Sequence, residues 1–278
     1  MKSLWFAVLV TLMSAGILHA AQEDEEECKR ALEAFRTEYK GATEAGRVAA
    51  VQGLQRHMCE KSVGILGPML TGEAAAVRVA AAKVLGTFDH PKAVEALTLA
   101  VKPNAERRDE LVAIANALET LGWEAGALAL NSLLSDHHDK DVIGGIDELV
   151  KVLGKMASPT SVEPLIKLLQ HAENESKGVR RGKGKIGGNK QMEALIAPVR
   201  KALQEITGGT ATSPEGWEDS WKANRERLLA ESTLVYWCKG TGKRWAQKAG
   251  EAQECPHHDK KMKDGQLIAV RLGSKAKP

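Results

Sequence analysis

Two stretches of the chain, KVLGTFDHPKAVEAL (83–97) and KVLGKMASPTSVEPL (151–165), share eight of fifteen residues: Lys, Val, Leu, Gly, Pro, Val, Glu and Leu. They are offset by 68 residues, two periods of 34. A third unit lies between them, with Leu121–Gly122 standing for the Leu-Gly pair, and a fourth ends at Ile206–Thr207–Gly208. Self-similarity at such a period leaves few architectures open. Each unit is a small element that cannot bury its apolar face alone and must lean on its neighbours.

Inside the units the apolar spacing is helical. Leu111, Ile114, Ala115, Leu118 and Leu121 form one stripe, and Val142, Ile146, Leu149, Val150 and Leu153 another, each recurring at three and four residues. The glycine that follows each stripe predicts a helix end closed by a left-handed residue. Pro91 and Pro159 stand where the next helix begins, a position at which a missing N–H costs nothing. Composition agrees: the chain is 43% hydrophobic but only 4% aromatic, so its core is built of Ala, Leu, Val and Ile, which suits close-packed helices.

These units resemble the HEAT-repeat (armadillo-type) α-solenoid over residues 62–209. Residues 26–61 are expected to be an N-terminal capping hairpin, 210–232 a C-terminal capping helix and 233–278 a small basic tail. Tetratricopeptide repeats have the same length, but they need aromatic positions, and Phe and Tyr total only five here (three Phe, two Tyr). The resemblance implies an all-α fold that presents a curved helical surface, its concave face first, to a protein partner without catalysis. Trp217 and Trp221, four apart after a Ser213–Pro214 start, are expected to cover the open end of the stack. The other reading is an aromatic binding ridge.

The first twenty residues have Lys2 followed by an uncharged, largely apolar run from Ser3 to Gln22. That pattern predicts a secretory signal peptide cut near Ala20–Ala21, a periplasmic or secreted mature chain and no stable membrane insertion afterwards. In an oxidising compartment four cysteines are expected to pair. Cys28 lies about as far before a helical turn at Gly41–Thr43 as Cys59 lies after it, so an antiparallel hairpin would bring the two together.

The tail poses the remaining question. Val235 to Cys238 and Leu267 to Leu272 have strand composition, predicting a small hairpin or knuckle. Tyr236-Trp237-Cys238, then Cys255-Pro256-His257-His258 and Met262, is similar to a small heavy-metal-binding domain whose pattern is Tyr-x-Cys-Pro-Met-His-Pro followed by Cys-Pro-x-Cys-Gly-Met. His258 takes the place of its last cysteine, and Thr241 that of a histidine. The resemblance implies a zinc or copper site of Cys238, Cys255, His257 and His258. The competing expectation is a Cys238–Cys255 disulfide and no cofactor.

Other motifs point away from enzymes and nucleic acid. Net charge is +3, well short of a nucleic-acid-binding signature. No His-Glu pair of the kind that holds di-iron in some HEAT-repeat enzymes occurs, nor G-x-S-x-G or H-E-x-x-H. Asp136–His137–His138–Asp139 is a polar cluster between helices that could hold a metal only with a further ligand. The segment 176–190, SKGVRRGKGKIGGNK, contains a literal G-x-G-x-x-G at Gly182, Gly184 and Gly187, but lacks the strand a dinucleotide site requires. It is read as a basic loop, with Arg180, Arg181, Lys183 and Lys185 as candidate anion ligands.

Overall fold

The computed structural model describes residues 25–136, 143–178, 180–181, 184–185, 188–238, 244–248 and 265–272. The N-terminal run 1–20 lies outside them. Helix α1 spans residues 25–39, followed by α2 (Glu44–Gly53), α3 (Glu60–Gly72), α4 (Ala75–Leu85), α5 (Pro91–Val101) and α6 (Arg108–Leu121). Then come α7 (Glu124–Asp136), α8 (Ile146–Met156), α9 (Val162–Lys177), α10 (Lys190–Thr207) and α11 (Pro214–Ala230).

From α2 onward the helices alternate between two layers. In one, α4 lies between α2 and α6, and α8 between α6 and α10. In the other, α5 lies between α3 and α7, and α9 between α7 and α11. This is an all-helical solenoid of stacked hairpins. The stripe Leu111, Ile114, Ala115, Leu118 and Leu121 is buried on α6, as are Ile146, Leu149, Val150 and Leu153 on α8. Each such side chain contributes about 1.5–3 kcal/mol by leaving water. Val142, the first residue of the second stripe, lies outside the described residues.

The repeat period is written directly into hydrogen bonds between units. Asn104 Nδ2 donates to the Leu70 carbonyl at 3.1 Å, Trp123 Nε1 to Asp89 Oδ1 at 2.8 Å, and Ser158 Oγ to Glu124 Oε1 at 2.6 Å; each bond spans 34 residues. Buried polar groups are costly unless paired. A partner one unit away therefore fixes how far each hairpin slides along the next.

The repeat glycines divide into two classes. Gly122 and Gly208 close α6 and α10 with φ of 71° and 72°, as the spacing predicts. Gly86 and Gly154 do not. Gly86 ends α4 in right-handed geometry, and a Cβ there would meet Ala117 Cβ at 2.7 Å and Ala117 Cα at 2.9 Å. Gly154 lies inside α8, where a Cβ would come within 3.0 Å of Ala202 Cα; the helix runs on to Met156 and closes at Ala157 with φ 51°. At these two positions the absent side chain lets neighbouring helices of one layer touch.

The proline starts hold. Pro91 opens α5, with His90 Nδ1 accepting from the Lys92 N–H. Pro159 opens a 3-10 turn, Pro159–Ser161, that leads into α9. Pro214 opens α11 behind Ser213, whose hydroxyl accepts from the Gly216 N–H. Trp217 and Trp221 on that helix are buried in the main core, and Trp221 also lines a surface cavity with Glu163, Ile166 and Arg225.

Between α9 and α10 a two-stranded hairpin pairs β1 (Arg180–Arg181) with β2 (Gly184–Lys185). After α11 comes an antiparallel sheet, where the tail was expected to make two strands and makes three. Strand β3 (Ser232–Cys238) is central, flanked by β4 (Arg244–Lys248) and β5 (Gly265–Leu272). Among the described residues no helix is long and apolar enough to cross a membrane.

Candidate functional site

Among the described residues, aromatic rings and an ion pair converge where the C-terminal sheet returns to the solenoid. Strand β5 packs against α7 and the Pro159–Ser161 turn. Alternation along β3 divides the sheet by face. Val235 and Trp237, with Ala246 from β4, join the solenoid core, while Leu234, Tyr236, Cys238 and Trp245 form a separate small cluster. Tyr236 and Trp245, paired in register, stack at 5.3 Å between ring centroids.

The contact is made at the turns that join α4 to α5 and α6 to α7. The Trp237 indole meets the His90 ring edge-on at 5.9 Å and Trp123 at 6.1 Å. Its cross-strand neighbour Arg244 reaches Asp89 Oδ2 at 2.5 Å and donates to the Leu121 carbonyl at 2.9 Å. Asp89 also accepts from Trp123 Nε1, so one carboxylate serves both the repeat stack and the sheet. His90 caps α5 through an acceptor nitrogen, and partial burial lowers its pKa from the ordinary 6.5, favouring the neutral ring.

The opposite edge of the stack is tied by ions. Arg47 on α2 pairs with Glu73 at 3.4 Å, Arg78 on α4 pairs with Glu110 on α6, and Lys102 pairs with Asp136 at 2.6 Å. Burial alone would raise the Glu110 carboxyl, but the bond and charge of Arg78 outweigh it and hold the group below its ordinary value. Burial and the neighbouring Glu73 carboxylate push the Tyr39 phenol up to about 12. These groups join neighbouring units. Asp136 of the expected polar cluster belongs to this ladder; His137, His138 and Asp139 lie outside the described residues.

The other expected sites are placed unevenly. Cys28 and Cys59 form a disulfide with Cα atoms 6.2 Å apart, joining α1 to the start of α3. Cys238 is buried at the end of β3. Cys255, His257 and His258 lie outside the described residues, so neither the metal site nor the second disulfide is assembled among them. In the basic loop, Arg180 faces Lys185 across the ladder and Arg181 faces Gly184; Lys183 lies outside.

Two exposed leucines were missed by sequence reasoning. Leu99 on α5 is 71% exposed and Leu128 on α7 is 50% exposed, on neighbouring helices of one layer. A helical wheel could have found them, because both fall off the buried stripe. Asp89 and Trp123 were also missed, although they stand one repeat period apart.

Known families agree with this geometry over two segments. Residues 32–115 match HEAT repeats, and residues 147–171 match the PBS lyase HEAT-like repeat. The first match begins inside 26–61, the segment expected to be a cap. No curated protein matches the chain.

Proposed function

We propose that this HEAT-repeat solenoid is an exported, non-catalytic scaffold that takes a protein partner on the face shared by α5 and α7. The observation that carries the reading is the exposure of Leu99 and Leu128 there. Single exposed leucines are ordinary; two on adjacent helices of one layer are the apolar exposure on this face that a partner could cover. Export is supported by the apolar run from Ser3 to Gln22 and by the Cys28–Cys59 disulfide, which suits an oxidising compartment. A non-catalytic role is supported by the buried carboxylates Glu110 and Glu124, which are engaged in bonds between repeats.

The test is cross-linking in fluid from the export compartment, with wild type beside a Leu99→Asp/Leu128→Asp variant. A species captured by wild type and lost in the variant, at unchanged circular dichroism, is the expected result. Equal capture by both overturns the choice of face. Turnover of a substrate, with no captured protein, overturns the scaffold.

A second reading, zinc or copper handling by the tail, rests on the Cys238, Cys255, His257 and His258 pattern of the sequence. Native intact mass separates it from the competing disulfide. A metal adduct lost in Cys238→Ser supports the metal site; a mass short by one disulfide's hydrogens beyond Cys28–Cys59 supports a Cys238–Cys255 bridge.

A further inference from the structure

Of the chain's six asparagines, Asn174 alone stands in the pattern Asn-x-Ser/Thr, as Asn174-Glu175-Ser176 with no proline between. Such a triplet arises by chance often enough that its surroundings decide its meaning. Here they agree. Asn174 and Glu175 are exposed in the last turn of α9 (Val162–Lys177), just before the hairpin that opens at Arg180. Leu169 and Ala172 carry the buried side of that helix end. The apolar run from Ser3 to Gln22 and the Cys28–Cys59 disulfide both suit an export route, where such acceptors are modified.

We propose that Asn174 is an N-glycosylation site, filled while the chain is being exported. The inference rests on the export reading and stands if the α5–α7 face binds nothing. The donor class is an oligosaccharide carried on a lipid diphosphate. Asn174 Nδ2 attacks the anomeric carbon of the first sugar, and an N–C bond forms there. The bond from that carbon to the diphosphate oxygen breaks, the lipid diphosphate leaves with the electron pair, and one amide proton passes to a base of the transferase. The fold sets the order of events. Residues two apart on a helix do not face each other, and the Ser176 hydroxyl donates to the Glu173 carbonyl at 2.9 Å. The helix end is closed beyond it, since the Glu175 carbonyl accepts from the Gly178 N–H at 3.3 Å and from the Asn189 N–H at 3.1 Å. A transferase that reads the asparagine and the hydroxyl together therefore acts before α9 and the hairpin close.

Intact mass of the protein recovered from its export compartment tests this, read with and without a peptide-N-glycosidase. The expected result is a chain cut near Ala20–Ala21 that carries one oligosaccharide. The glycosidase should remove it and leave a carboxylate where the carboxamide stood. Asn174→Gln and Ser176→Ala should each lose the adduct entirely, with export and circular dichroism unchanged. Ser176→Ala is the sharper of the two, because the acceptor nitrogen is still present. Folded protein offered the same donor and transferase should take up less sugar than the reduced, unfolded chain; equal uptake overturns the order of events. A cut, disulfide-bonded chain of unmodified mass overturns the site and leaves export standing. An uncut chain with free thiols overturns export and the site together. An adduct that persists in Asn174→Gln puts the sugar elsewhere and overturns the assignment.

Discussion

The helical stack and the C-terminal sheet are held by contacts of different reach. In the stack, Asn104, Trp123 and Ser158 each bond one unit back, at a separation of 34 residues. The sheet bonds over 123 residues, from Arg244 to the Leu121 carbonyl. Nearest-neighbour coupling makes a solenoid's stability close to a sum over units and interfaces. An element that docks across several units adds to that sum without being needed by any one of them. Damage in the stack should therefore spread to the sheet, whereas damage in the sheet should stay there.

The strongest way to break this asymmetry is in the middle of the stack. Leu118 is fully buried on α6. Leu118→Ala should cost about 3–5 kcal/mol, and in chemical denaturation helix and sheet should be lost together. A sheet that outlasts the helices would contradict the ordering. Next is the disulfide. Replacing Cys28 and Cys59 together by serine opens a loop spanning 31 residues and should cost about 4 kcal/mol. Hydrogen exchange should locate the loss in α1, with α6 to α10 unchanged; uniform loss along the chain would mean the units do not behave separately.

A smaller effect sharpens the division among glycines. Gly86→Ala puts a Cβ against the Ala117 backbone and should cost about 1–3 kcal/mol by overpacking. Alanine at Gly53, where a Cβ meets nothing within 4 Å, should instead be neutral or slightly stabilising. Equal thermal shifts for the two would refute the packing role of Gly86.

The smallest effect is titration at the sheet edge. Burial lowers the pKa of His90, while Glu60 and Asp89 act to raise it and Lys92 to lower it. A lowered histidine favours the neutral ring in the folded state, so its stabilisation is complete above the ordinary value of 6.5 and is lost as pH falls below it. Trp237 packs on this ring, so protection of β3 should weaken between neutral pH and about pH 5. His90→Gln should remove that pH dependence. A profile unchanged by the substitution would remove His90 from the edge's energetics.

Much of the stack is legible in the residues themselves. The stripe on α6, Pro91, Ser213–Pro214 and the Cys28–Cys59 pairing all depend on neighbours close in sequence or on a repeating pattern. The glycines show where such reading stops. Gly86, Gly122 and Gly154 look alike in the sequence, yet one turns the backbone and two admit a neighbouring helix, because a missing side chain serves either need. Leu99 and Leu128 were overlooked for a related reason: leucine is counted toward a core unless its face is known.

Apolar spacing and a period of 34 residues are enough to specify paired helices stacked in order, since each buries its stripe on the element next along the chain. Where the tail would land was beyond that reach. Trp237 and Arg244 find His90, Trp123 and Asp89 only after the stack has set its turns side by side, and no local pattern encodes a meeting between such distant residues.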